Sequence, residues 1–485
     1  MIALRKKGTS RIQEGFRLLV LPVVLLGGCS NYEAKPITAQ GVEKQLTPPT
    51  AKDLAAQASQ IHHPLLKPGK MDPRGLTPDS AAILAVILNP ALRSQRDQKQ
   101  VAMAQVISAG LLPNPQFSFN EDFPSGGSDM GAVHAYGLGL SWDVTALISH
   151  EAKVEAARQQ QASVLLSIAW QEWQTAEAAK MAFYDLLCTR EQLAVARENE
   201  TALNHNLTVL QEAVDRHDKT VLDLAAAEAA SLDARTAVLS AQHDERTAEL
   251  ALNRAIGLPP ETAVVICPGV DLPGEVHLNP QPRLLKDIEN RRLDLVALRR
   301  GYESQEQTLW AAVLDQFPKV NLGFNRARDN TNVESFGFGV TVDLPIFDRN
   351  QGTIAAEKAT RQQLYDEYVQ RIFEAHADVA SACNDIEQIQ QRIAANQAAI
   401  PALQKLADMS KASLAGGNID VISYNTAVSN LASKRMDLAK LRQQLSDSRI
   451  ALELATGIYD VSSIETPQMT AATQPAQSGG GDQPQ

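Results

Sequence analysis

Two stretches of this chain repeat one another 200 residues apart, and that duplication limits the possible folds more than any other feature. Tyr136-Gly-Leu-Gly-Leu-Ser-Trp-Asp143 aligns without gaps on Phe336-Gly-Phe-Gly-Val-Thr-Val-Asp343. Glu249-Leu-Ala-Leu-Asn-Arg-Ala-Ile-Gly257 meets the segment Ile450-Ala-Leu-Glu-Leu-Ala-Thr-Gly457 at the same offset of 200. A third match, Ser108–Pro115 against Val313–Pro318, sits at offset 205 and implies a small difference in loop length. A shared register at distant points predicts two copies of one structural unit.

Each copy reads in the same order. A helix opens near Thr77-Pro78-Asp79, where Thr77 can cap and Pro78 suits the first helical position, and runs to about Leu112. It breaks at Pro113-Asn114-Pro115. A strand Gln116–Phe123, a turn rich in Gly and Ser, and a second strand Val133–Val144 follow. Alternation of Tyr136, Leu138, Leu140 and Trp142 with small residues marks that second strand. In the second copy the strands are Lys319–Arg328 and Glu334–Ile346.

Very long helices come next. Residues 140–256 contain neither Gly nor Pro, and the second copy is equally clean over 353–400 and 418–456. A helix of ~65 residues would be ~100 Å long, and helices of that length need neighbours, as in coiled-coil-like bundles.

The hairpins decide the architecture. Four strands of about ten residues are long enough to cross a bilayer when tilted, but lipid tolerates no open sheet edge. Several chains must therefore close one barrel. Two would give eight strands with a filled interior; three would give twelve and leave a lumen. The expected class is α+β: a membrane β-barrel with four strands per chain in a trimer, continued by a long α-helical barrel, with an internal two-fold repeat.

The N-terminus reads as an address. Arg5, Lys6, Lys7, Arg11 and Arg17 precede the apolar run Leu18–Leu26, too short for a mature membrane helix. Leu26-Gly27-Gly28-Cys29 has the form of a bacterial lipobox, which would make Cys29 a lipidation site after a signal peptide of residues 1–28. An ordinary cleaved signal with a chance cysteine is the alternative. Ser30, rather than Asp, after the cysteine favours the outer membrane. Cys188, Cys267 and Cys383 have no zinc or redox spacing. Free buried thiols are expected for Cys188 and Cys383.

A net charge of −11 without a basic cluster argues against nucleic acid. The histidines, His62-His63 included, show no metal-binding spacing, and neither a phosphate loop nor a nucleophile elbow occurs. No cofactor, metal or enzymatic activity is expected. Trp170, Trp173, Phe183 and Tyr184 read as packing residues.

Over residues 77–460 the chain resembles the TolC family of outer-membrane efflux proteins. The resemblance rests on Asn89-Pro90-Ala91-Leu92, Pro113-Asn114-Pro115, Arg291-Arg-Leu-Asp-Leu295, Asp343-Leu-Pro-Ile-Phe-Asp-Arg-Asn350 and the terminal Gly257 and Gly457. It implies a homotrimer with a twelve-strand barrel in outer-membrane lipid and a helical tunnel through the periplasm. It also implies docking to a periplasmic membrane-fusion adaptor and an inner-membrane pump, of RND type. One departure is that Asp143-Val-Thr-Ala-Leu-Ile-Ser replaces the second copy's Asp343-Leu-Pro-Ile-Phe-Asp-Arg, so the two strand-to-helix turns should differ in shape.

The helices must also reverse. Gly416 and Gly417 can end one helix, with Asn418 able to cap the next. The matching turn, Asp215–Asp223, lacks glycine and offers Asp218 or Thr220 as cap. The resemblance makes these turns adaptor-contacting tips, with Arg216, Lys219, Gly417 and Asn418 as contacts. It makes Asp420, together with Asp223, a pore constriction, where carboxylates repeated around an axis would bind cations. A plain reading competes: an Asp in a first helical turn favours the helix dipole.

The expected organisation is a linker of residues 29–76, repeat 1 over 77–257 (hairpin 116–144), a linker 258–282, repeat 2 over 283–460 (hairpin 319–346) and a disordered tail 461–485. The expected function is the outer-membrane channel of a tripartite efflux system, a passive conduit for small molecules or metal ions. The alternatives are a type I protein-secretion exit duct and a periplasmic coiled-coil adaptor without a pore.

Overall fold

The computed structural model describes residues 32–47, 54, 56, 74–125 and 131–458. The signal segment, Cys29, His62-His63 and the tail lie outside the described residues. The chain divides into two units, residues 1–48 and 49–485. In the first, a short helix α1 (Ala39–Leu46) starts at Thr38, whose side chain accepts the Gly41 N–H.

In the second unit, repeat 1 begins with α2 (Pro78–Leu88), capped by Thr77 in a reciprocal box with Ser80. The single helix expected from Thr77 to Leu112 is in fact two, because α3 (Pro90–Ala109) starts separately after Asn89. Pro90 cannot donate to the preceding turn and pushes Asn89 out of helical geometry. The strands β1 (Gln116–Asp122) and β2 (Ala135–Asp143) lead to α4 (Ala146–Asp215), 70 residues long, and α5 (Val221–Ile256).

Repeat 2 opens with α6 (Gln281–Leu285), α7 (Ile288–Arg291) and α8 (Leu293–Leu314). Then come β3 (Lys319–Arg328), β4 (Glu334–Asp343), α9 (Gln351–Ala415, 65 residues) and α10 (Val421–Thr456). Strand β4 stops three residues short of the expected Ile346, since Pro345 cannot continue a hydrogen-bonded ladder. Pro401, by contrast, sits inside α9 without ending it.

The duplication is visible in the packing. In repeat 1, Leu84 and Leu88 pack with Phe183, Leu186, Leu252 and Ile256; in repeat 2, Leu284 and Ile288 pack with Ile386, Leu445 and Leu452. Each long return helix ends at a left-handed glycine, Gly257 or Gly457, against which the start of the other layer is fastened. Asn89 donates to the Ala255 carbonyl at 3.1 Å. In the equivalent place buried Arg292 reaches the Ala455 carbonyl at 3.4 Å, held by Asp294 at 2.7 Å and stacked 5.3 Å from the Trp170 ring. A cation at a helix C-terminus is favourable there. The aromatic residues expected as packing are buried or half-buried, Trp173 and Phe183 almost completely. Cys188 is a buried free thiol, Cys383 is half-buried and free, and Cys267 is buried.

The strand-to-helix turns do differ. Helix α4 begins three residues after Asp143, whereas α9 begins eight after Asp343, following Asn350 at φ 61°. Among the described residues no helix is long and apolar enough to cross a membrane.

Candidate functional site: an open amphipathic sheet and two helix tips

The four strands form one antiparallel sheet in the order β1-β2-β3-β4, so the two hairpins join through β2 and β3. Register puts the apolar residues on a single face. Phe117 pairs with Leu140, Leu140 with Phe324, and Phe324 with Phe338. One row nearer the helices, Trp142 pairs with Leu322 and Leu322 with Val340. The opposite face carries Ser118, Asn120, Ser141, Asn321, Asn325 and Thr341 among the glycines 137, 139, 323, 337 and 339.

Glycine at 137, 139 and 337 leaves room for side chains lying across the sheet. A Cβ there would run into the side chains of Asn120, Ser118 and Asn325, which lie across the polar face. Large apolar groups on the other face are uncovered: Phe336 is 78% exposed and Phe338 61%. Charges gather in the two rows farthest from the helices, where Arg328 lies 5.1 Å from the Tyr136 ring and Arg326 meets Glu334 at 2.8 Å. A ten-residue strand is ~34 Å long, and tilted at ~40° it rises ~26 Å, matching the apolar band of a membrane barrel. The outer edges of β1 and β4 have no strand partner among the described residues.

The helix reversals are built alike despite different residues. At α4–α5, Asp218 N–H donates to the Ala213 carbonyl at 2.8 Å and His217 N–H to Val214 at 2.9 Å. At α9–α10, Asn418 N–H donates to Ser413 at 2.9 Å and Gly417 N–H to Leu414 at 3.0 Å. Both are Schellman closures, which need one left-handed residue. That residue is Gly417 (φ 73°) in one copy and His217 (φ 67°) in the other. Left-handed backbone costs a side-chain-bearing residue roughly 1–2 kcal/mol. His217→Gly should therefore slow amide exchange around the first tip, whereas Gly417→Ala should quicken it around the second.

Among the site candidates, Arg216, Gly417 and Asn418 are exposed and Lys219 is half-buried. Arg216 pairs with Asp218 at 3.2 Å. Asn418 does not cap α10; Asp420 does, its Oδ1 accepting the Ser423 N–H at 2.6 Å. Asn418 is spent on the Schellman bond, and the cap falls to the residue directly before the helix. Those hydrogen bonds hold the exposed Asp420 carboxyl below the usual range. In the first copy Thr220 is the cap, in a reciprocal box with Asp223 at 3.1 and 3.2 Å. Asp420 and Asp223 thus have local structural roles, and they stand on separate tips. Just inside the tips, Leu210, Ala227 and Val421 form a small core joining the copies. Replacing Asp420 by Ala should cost about 1 kcal/mol of cap energy, seen as fraying of the first turn of α10 in amide exchange.

One charged cluster escaped the sequence. Lys180 of α4 lies 2.8 Å from Glu177 and 3.7 Å from Glu453 of α10, joining the two repeats, with its ammonium 5.3 Å from the Trp173 ring. Arg449 approaches Glu453 at 3.7 Å. Glu177 is fully buried, its Oε2 has no hydrogen-bond partner among the described residues, and burial pushes its pKa to about 7 against the pull of Lys180. In sequence Glu177 and Lys180 look like an ordinary exposed i,i+3 pair. Tertiary packing buries them, with Glu453 of α10 and Asp79 of α2 both acting on them.

Residues 284–458 match the model of the family described as outer membrane efflux protein. No curated protein matches the sequence significantly. Solved structures match it over nearly their whole length. The outer-membrane channel OprN is 17% identical, covering 88% of this chain and 99% of its own, at a TM-score of 0.69. CusC, described in terms of transmembrane channel formation, is 19% identical over 88% of this chain and 99% of its own, at 0.65. The outer membrane protein VceC of Vibrio cholerae is 15% identical over 78% of this chain and 96% of its own, at 0.66. At these identities the likeness is one of fold.

Proposed function

We propose that this chain, a member of the outer membrane efflux protein family by its second repeat, is one of three copies forming a passive export conduit in the outer membrane. One observation carries this reading: the sheet has an exposed apolar face, a polar face of small residues, and two open edges. An apolar face that none of the described residues covers needs lipid or protein. Open edges in lipid need partners. Because β1 and β4 run in opposite directions, the β1 edge of one copy can pair antiparallel with the β4 edge of the next. Three copies close a twelve-strand barrel whose polar faces line a lumen.

The long helices then continue the wall into the periplasm, and the tips at 216–219 and 416–418 meet an adaptor, with Arg216, Lys219, Gly417 and Asn418 as contacts. The pump supplies energy and selects cargo among small molecules or metal ions, while this chain supplies the opening. Cys29 carries a lipid that adds to membrane attachment. Asp420, with Asp223 on the other tip, narrows the tip-side mouth and draws cations there.

The test is conductance of the purified protein in a planar bilayer. Long-lived unitary steps are expected, with a weak preference for cations that Asp420→Ala reduces. Absence of steps from folded, inserted protein would defeat the channel reading. Unchanged cation preference in Asp420→Ala would remove that residue from the constriction.

A further inference from the structure

The apolar alternation of β4 runs on in the sequence beyond the end of the strand, into a segment that turns, with the Ile346 N–H on the Leu344 carbonyl at 2.9 Å. The alternation Phe336, Phe338, Val340, Val342 continues past the strand through Leu344 and Ile346, which are 70% and 65% exposed. Phe347 follows at 92% exposed. These residues belong to the long turn of the second copy, for which the two-residue turn Val144-Thr145 of the first copy has no counterpart.

Beside Phe347 lies a surface recess of about 430 Å³, bordered by Arg349, Ile354, Lys358 and Gln316. Arg349 spends Nε on the Pro345 carbonyl at 3.3 Å, and that turn fixes the base of its side chain. Among the described residues neither Arg349 nor Lys358 has an ion-pair partner, although both are exposed. The acid in this turn, Asp348, is engaged with the Asn350 N–H at 2.9 Å.

An exposed apolar wedge directly after the edge strand, flanked by two unpaired cations on the helix side, matches one ligand chemistry. Acyl chain meets Phe347 and Ile346, and a phosphate meets the cations. The geometry points to the β4–α9 turn as a phospholipid-headgroup site that seats the barrel in the leaflet nearer the helices. The inference rests on the reading that the sheet's apolar face contacts lipid. Aromatic and long cationic side chains favour this depth, the first for their amphipathic rings and the second by extending toward phosphate. The competing occupant is a second copy of the chain, since β4 is an edge strand.

A photo-crosslinking amino acid at position 347 separates these occupants. The full-length protein would be placed in liposomes of phosphatidylethanolamine and phosphatidylglycerol, with the same label at position 338 as a control for lipid contact. Labelled protein should gain the mass of one phospholipid at 347. A crosslink to a second copy, or no adduct at 347 while 338 labels, would overturn the site. In a second arm, native mass spectrometry would count retained phosphatidylglycerol. Removing two surface cations should weaken retention roughly 30-fold in Arg349→Gln/Lys358→Gln, and unchanged retention would overturn the headgroup contact. Bilayer steps recorded on the same preparations keep the channel reading separate. Steps without adducts at 347 defeat only this inference; no steps and no adducts at either position defeat the channel reading itself.

Discussion

Phe338→Arg should prevent the protein from assembling in its membrane. Phe338 lies in the middle of the apolar face, paired with Phe324, and is 61% exposed in the single chain. An arginine at mid-depth on the lipid face of a barrel costs about 2–4 kcal/mol, and a three-copy barrel carries the penalty three times. That sum is comparable with the whole stability of an ordinary domain. Thr341→Arg is the matched control. Thr341 lies on the polar face, opposite Asn321, where a charge meets water. The readout is the fraction of protein migrating as a heat-sensitive oligomer after folding into liposomes. Phe338→Arg should leave little, and Thr341→Arg should stay close to the parent. Equal behaviour of the two would mean the faces have been assigned wrongly.

The second large effect concerns the buried charges that tie the repeats together. Lys180→Met would leave Glu177 and Glu453 facing one another with Arg449 as the remaining nearby cation. Breaking a buried pair from one side costs about 3–5 kcal/mol. The cost should depend on pH. Glu177 has its folded pKa raised to about 7 by burial, by Glu453 and by Asp79, against Lys180. Glu453 is likewise raised by burial. A group raised on folding stabilises the protein fully below its unfolded value and loses that contribution as pH rises through the folded one. For Glu177 the window runs from about 4.5 to about 7, worth on the order of 3 kcal/mol. Thermal unfolding should therefore show Lys180→Met far more damaging at pH 8 than at pH 5. Glu177→Gln should flatten this part of the parent's pH profile, and it should rescue much of the Lys180→Met loss at pH 8. A pH-independent Lys180→Met penalty would count against ionised Glu177 as the source.

Much of the sheet was legible because strand periodicity is a short-range signal. Tyr136, Leu138, Leu140 and Trp142 alternate in the sequence and share a face in the structure. The repeat then supplied the second hairpin, and the glycines beneath Asn120 and Asn325 were visible as the small residues between the apolar ones. The reversal near residue 217 was legible only through the repeat, because His217 performs the task for which Gly417 is the recognisable residue. Two features were misread locally. The Asn89-Pro90 break was submerged in a continuous helical pattern, and Asn418 resembled a cap that Asp420 provides. Glu177 could not be found at all. Helix α4 is covered by α2, α3, α5, α8 and α10 along different parts of its length, so it shows no single apolar stripe to mark which charges are buried.

Everything functional follows from one claim: four strands with open edges become a membrane structure only by joining other copies. Native mass spectrometry of protein extracted from membranes in mild detergent tests it most directly. Assemblies of three copies are expected, with no folded monomer retaining its sheet. A stable monomer with all four strands protected from amide exchange, or a closed assembly of two copies, would contradict it.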